Sequence, residues 1–320
     1  MHPRLLALAA LRLRDPAAKI EATHRAAAAL GVGVPLRTLR EPGDEAGVPG
    51  RPERPIVLSP MDVPRRSPFT PEGRAALLHS ICHIEFNAIN LALDAAWRFD
   101  GMPERFHEDW LKVAAEEAHH FALLDAHLRG MGWRYGDFPA HHGLWAMCER
   151  TAGDIVARMA LVPRTLEARG LDATPQIQAK LRRVGTPDAL AACDILELIL
   201  RDEVGHVAIG NHWYRWLCER DGLDPVSHYR VLARRHEAPR PRAPFNIAAR
   251  ARAGFRTRRS PNWICRWGRS CRRRPHGLRP SSRLPARSTN ADPDRPASAQ
   301  PALRLSTTIL GEKSCTTSPC

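Results

Sequence analysis

The chain has 320 residues, 43% hydrophobic but only 6% aromatic, which suits an Ala/Leu-rich helical core of ample size. Its formal charge of +14 suggests a nucleic-acid protein until it is divided: residues 256–320 hold 14 of the 48 Lys and Arg but 3 of the 34 Asp and Glu, leaving 34 against 31 and a near-neutral body. The absence of any Cys-x-x-Cys pair argues against a thiolate zinc site, the scattered cysteines argue against a dense disulfide framework, and no run of 18 apolar residues marks an ordinary membrane span.

Residues 3–31 are Ala/Leu-rich and predict a helix. The N-terminus reads as amphipathic helix, with no persuasive secretory cleavage site, so a cytoplasmic protein without a membrane partner is expected. From Pro35 to Pro71 nine prolines deny a helix its hydrogen bonds, and the segment reads as an extended strap. The first seventy residues thus form an N-terminal helical and extended segment.

Thr70-Pro71 is a good helix start, and four long helical patterns follow. The first runs over about 71–99 and ends at Asp100-Gly101, the second over about 104–129. The third covers about 143–169, broken locally at Pro163 and stopped by Gly170. A short helix near 175–183 precedes the fourth, about 187–220. Residues 71–236 form the expected bundle, with 237–255 as a C-terminal extension of the body.

Two of these helices carry a Glu-x-x-His element. Three residues is nearly one turn, so carboxylate and imidazole point the same way. In the second helix Trp110, Val113, Phe121, Leu124 and Leu128 make an apolar stripe into which Glu117 and His120 fall, whereas the overlapping pair Glu116 and His119 has the same spacing and the wrong phase. In the fourth, Leu196, Ile199, Leu200 and Val207 surround Glu203 and His206. The first helix places Glu85 among Leu78, Ile81, Ala88 and Ala92, where an unpaired carboxylate is costly. The third offers Glu149, Asp154 and Glu167, of which Glu167 lies among Leu161, Leu166 and Ala168 and is chosen. His79, His83, His127, His141 and His142 read as surface or capping residues.

A carboxylate helix followed by a Glu-x-x-His helix, twice over, is the ligand set of a di-iron carboxylate four-helix bundle. The expected fold is all-α, a ferritin-like four-helix bundle. Its metal ligands are Glu85, Glu117, His120, Glu167, Glu203 and His206, and its cofactor two iron ions, with manganese as the alternative. Glu117 and Glu203 would bridge. The expected function is a dioxygen-activating non-haem hydroxylase or oxygenase. It would act on an unidentified small molecule or RNA and draw on an electron donor. A ferritin-type iron-handling protein and a catalytically idle interaction module are the alternatives.

The segments His83-Ile84-Glu85, Glu116-Glu117-Ala118-His119-His120-Phe121, Pro139-Ala140-His141-His142-Gly143, Leu166-Glu167-Ala168-Arg169-Gly170 and Asp202-Glu203-Val204-Gly205-His206 resemble the ferritin-like proteins of the domain of unknown function 455 family. The resemblance extends to about Phe255 and none of it covers the tail. Glu167-Ala168-Arg169 is also similar to the third-helix ligand segment of the tRNA-modifying di-iron hydroxylases, which implies Glu167 as a ligand. Arg158, Arg164 and Arg169 are left between partners of the carboxylates and a solvated face. Residues 256–320, rich in Arg, Pro and Ser, read as a disordered basic tail. An out-of-frame translation is favoured there over a nucleic-acid-binding arm.

Overall fold

The computed structural model describes residues 2–31, 35–39 and 43–255. The chain divides into two units, Met1–Arg269 and Ser270–Cys320, and every described residue belongs to the first. The tail expected to be disordered lies outside the described residues. So do the calls made on it, an out-of-frame origin and nucleic-acid binding.

The described fold is all-α. Residues 3–31 form two helices, α1 (Pro3–Arg12) and α2 (Pro16–Ala28), where one was expected. Pro16 cannot continue a helix but sits well in a first turn, and the Asp15 carboxylate accepts from the Ala18 amide at 2.8 Å. The described residues of the strap that follows are non-helical as far as Thr70. At residues 56–58 it pairs with the loop at Ala140, through Leu58 N–H to Ala140 O and Ala140 N–H to Ile56 O.

Helices α3 (Pro71–Arg98) and α4 (Glu104–Gly130) form an antiparallel pair joined by the turn at Gly101. Thr70 caps α3 by accepting from the Gly73 amide. By length and mean hydropathy α3 passes as a membrane span. Yet 72% of the relevant stretch is buried inside the bundle, and its core-facing side carries Glu85, Asn87, Asn90 and Asp94.

The third rod departs most from expectation. It consists of α5 (Gly143–Arg150), α6 (Ile155–Leu161), a π-helical stretch Val162–Glu167, and α7 (Ala168–Val184). The rod is interrupted at residues 151–154, where the Asp154 side chain caps α6, and the α-helical pattern is broken locally again around Pro163, as expected. The wider π turn takes in Pro163. Gly170 costs a helix only about 1 kcal/mol and does not stop it. Helix α7 runs on through Pro175 and ends at Gly185, which adopts a left-handed φ of 72°. Then come α8 (Pro187–Arg220), α9 (Pro225–Arg235) and the short α10 (Ile247–Arg252). The α3/α4 pair, the α6–π–α7 rod and α8 make the four-helix bundle, with the α1/α2 hairpin packed on α3 and α4.

Two buried cations fasten these layers. Arg4, fully buried, donates to Asp100 and to the carbonyls of Leu36, Ala96 and Trp97, fixing α1 and the strap to the α3–α4 turn. Arg158 binds Asp94 of α3 and donates to Thr151 and to the Cys148 carbonyl, bridging the α5–α6 break. Removing one partner of such a pair leaves an uncompensated charge in the core. Asp94→Ala is therefore expected to lose about 3–5 kcal/mol of stability in urea denaturation.

Lys19 is fully buried, with its ammonium on the Leu11 carbonyl and Asn90 Oδ1. Burial pulls its pKa down from 10.5 to about 7. Below pH 7 both folded and unfolded chains carry this proton, and the cost of burying the charge is felt in full. Between about pH 7 and 10.5 the unfolded chain keeps the proton that the folded chain has shed, so stability rises with pH. The melting temperature of the native chain is expected to gain on that of Lys19→Met from about pH 6 to about pH 9.

Candidate metal centre

Glu85 comes from α3, Glu117 and His120 from α4, Glu203 and His206 from α8, and Glu167 from the last position of the π stretch. All six are buried: Glu117 and His120 are 0% exposed, His206 1%, Glu85 4%, and Glu167 and Glu203 8% each. Ligand atoms of Glu85, Glu117, His120 and Glu203 all lie within 4.8 Å of one another, a group that can hold a metal ion.

His206 adjoins this group. Its Nδ1 is 2.8 Å from Glu117 Oε1 and 3.7 Å from Glu203 Oε1. On the other side His120 Nδ1 is 3.3 Å from both Glu85 Oε2 and Glu117 Oε2. Glu117 therefore turns one oxygen to each imidazole. Glu167 stands outside the four-residue group, near enough for the charges of Glu203 and Glu117 to act on it.

Four carboxylates in this interior face only two imidazoles. Burial, reinforced by the Glu117 charge, pushes the carboxyls of Glu85 and Glu203 up, and Glu167 is raised by burial together with Glu203 and Glu117. Glu117 goes the other way. Burial would raise it, but contacts with His206 and His120 outweigh that and hold it below the usual carboxylate range. His120, which burial would lower, is pushed up to about 11 by its close approach to the carboxylates of Glu117 and Glu85. Several polar atoms here lack a hydrogen-bond partner: Glu85 Oε2, Glu117 Oε1, both oxygens of Glu167, Glu203 Oε2 and His206 Nδ1. His206 Nδ1 and Glu117 Oε1 are close but misaligned for a hydrogen bond. Buried polar atoms are rarely left so, and here they converge.

Two residues important to this arrangement escape the sequence reading, Glu116 and Asp202. Glu116 is out of phase with the α4 stripe, as expected, yet its Oε2 is 2.8 Å from Nε2 of His206 on α8. Asp202 of α8 is 3.3 Å from Nε2 of His120 on α4. Each helix's acid thus holds the other helix's imidazole and leaves Nδ1 turned inward. The available signal was the acid directly before each Glu-x-x-His. His119 is exposed and takes no part.

The π stretch that carries Glu167 seats against α8 at Gly210, where an added Cβ would fall 2.4 Å from Pro163 Cβ. Only glycine allows that approach. Of the arginines left open by the sequence, Arg158 serves Asp94. Arg164 packs over the rings of Tyr214, Tyr229 and Phe255, and Arg169 is exposed. His79 and His83, expected at the surface, are buried under the loop after α4. His79 Nε2 accepts from Gly136 N–H at 2.9 Å, and His83 Nδ1 is 2.8 Å from the Tyr135 hydroxyl.

Removing either outer acid frees an imidazole without disturbing the core. Glu116→Ala and Asp202→Ala are each expected to weaken binding of a divalent metal about 10–100-fold, read by titration calorimetry.

Comparison with known proteins bears on the family and leaves the chemistry open. A relative from Haemophilus influenzae described as an uncharacterized protein is 51% identical over 220 residues, which is 67% of this chain and 75% of the relative. No solved structure matches. The model of the family described as "Protein of unknown function (DUF455)" matches residues 12–260, and the chain belongs to that family.

Proposed function

We propose that this protein is a non-haem di-iron oxidoreductase that activates dioxygen to hydroxylate or oxygenate a substrate. The observation that carries it is the position of Glu117 between two inward-facing imidazoles, one carboxylate oxygen to each, with unpartnered oxygens of Glu85, Glu167 and Glu203 around it. The donor set fits the group. Hard carboxylate oxygens with imidazole nitrogen suit iron or manganese, and two divalent cations balance four carboxylates while the histidines are neutral. Glu85, Glu117, Glu167, Glu203, His120 and His206 would hold the two ions.

Bound in reduced form, the irons would supply the electrons for dioxygen activation, and a donor must restore them. The chain's own residues hold and seclude them. The helices keep the carboxylates away from water, and Asp202 and Glu116 fix the Nε2 atoms so that Nδ1 points inward. Outside the imidazoles lies a groove of about 560 Å³, lined by Ala27, Leu30, Lys112, Glu116, His119 and Asp202 among others. Four buried unpaired cysteines, Cys82, Cys148, Cys193 and Cys218, suit the reducing cytoplasm.

The chain loaded with ferrous ion under argon is expected to hold about two irons, and Glu117→Ala and His206→Ala markedly fewer, measured by elemental analysis. Admitting air should consume dioxygen in proportion to bound iron. Native iron content in both variants would refute the ligand assignment. Continued iron uptake and oxidation far beyond two per chain would favour the storage alternative.

A further inference from the structure

α10 and the residues after it lie across α7 and α8 in an apolar cluster of their own, separate from the main core. Ala249 and Ala253 pack on Ala168, Leu171 and Val207. Leu171 lies one turn beyond Glu167, and Leu200 and Val207 lie about one turn either side of Glu203, so the segment packs on the helix faces beside these two carboxylates. Those two are the most exposed of the six proposed ligands, at 8% each. On the groove side the imidazoles stand between solvent and the carboxylates, and a cation entering there must displace a ligand.

The attachment of this segment is mainly polar. Its buried residues are alanines, which bury little surface. The polar hold centres on Asp172, which accepts from Arg250 Nη2 at 2.5 Å, from Arg250 Nε at 2.9 Å and from the Asn246 amide at 2.9 Å. Arg250 also reaches the Ala168 carbonyl, and Asn211 donates to the Ala253 carbonyl at 2.7 Å. Residues 239–246, which join it to α9, include Pro239, Pro241 and Pro244 and form no helix or strand. A short segment whose buried side chains are alanines, held by a few polar contacts of Arg250, Asn211 and Arg215, opens at a lower cost than the whole domain unfolds. Phe255 at its end lies 4.9 Å from the Arg164 guanidinium, so the segment also touches the π stretch that presents Glu167.

We infer that residues 246–255 are a gate, latched by Asp172 and Arg250, past which a divalent cation enters and leaves the site beside Glu167 and Glu203. The inference rests on the metal reading of the centre. Hydrogen exchange of the full chain is expected to show amides of 247–255 exchanging about a hundredfold faster than those of 199–211 in α8. Asp172→Asn, or Arg250→Gln should the first misfold, is expected to speed both that exchange and the uptake and release of cobalt(II) about tenfold. Cobalt is followed by its visible absorption and withdrawn with a chelator, and its final occupancy should not change. Exchange of 247–255 only at the rate of global unfolding would overturn the gate. So would unchanged cobalt kinetics in a folded latch variant of a chain whose native form binds the ion. A native chain that takes up no cobalt at all overturns the metal reading, and the gate with it.

Discussion

The structure is organised around four carboxylates held out of water in the middle of a helical bundle. An isolated ionised carboxylate in such a place is strongly disfavoured, and like charges a few ångströms apart make it worse. Glu85, Glu167 and Glu203 show the consequence in their raised affinity for protons, and Glu117 escapes it only because two imidazoles lie against it. A bundle that needed only stability would place leucine at these positions. Retaining acids there makes sense where a cation sits between them, and the metal reading follows from that electrostatic conflict.

The surrounding fold limits how the six side chains can move. Helices α4 and α8 are joined by the crossed contacts Glu116 to His206 and Asp202 to His120, so neither imidazole can turn without losing an acid on the opposite helix. Arg158 on Asp94 ties the third rod to α3 one layer away. The π stretch adds a residue's worth of width to that rod and seats on the notch at Gly210, which places Glu167 at its inner end. Three of the four rods are regular helix through the site, and the fourth is irregular where it delivers a ligand.

How much of this was legible in the sequence depends on the range of the interaction. The phase of Glu117 and His120 within the α4 stripe, and of Glu203 and His206 within that of α8, is a local property of one helix and could be read directly. The same phase argument set Glu116 aside, because its partner His206 belongs to another helix and relative register is not written in either one. His79 and His83 were misplaced for a similar reason, since the loop from Met131 that buries them arrives from fifty residues away. In the third rod Pro163 marks the change from α- to π-helix, but Gly170 does not stop the helix, and the full interruption comes at the Asp154 cap. A proline costs a helix one hydrogen bond, which a π turn can redistribute, whereas a side-chain cap offers the backbone a competing partner.

The two sides of the centre differ in kind. Toward α4 and α8 the two imidazoles are enclosed by the main core and held by paired acids, and the groove outside them is lined by those acids, Glu116 and Asp202. Toward α7 the covering is a short helix over a small cluster of alanines and valine, anchored on Asp172. A centre that must hold its ions in fixed geometry and still be loaded after folding needs one rigid wall and one yielding one. The more yielding wall lies beside Glu167, on the irregular rod, while Glu117 is enclosed on the rigid side between two imidazoles.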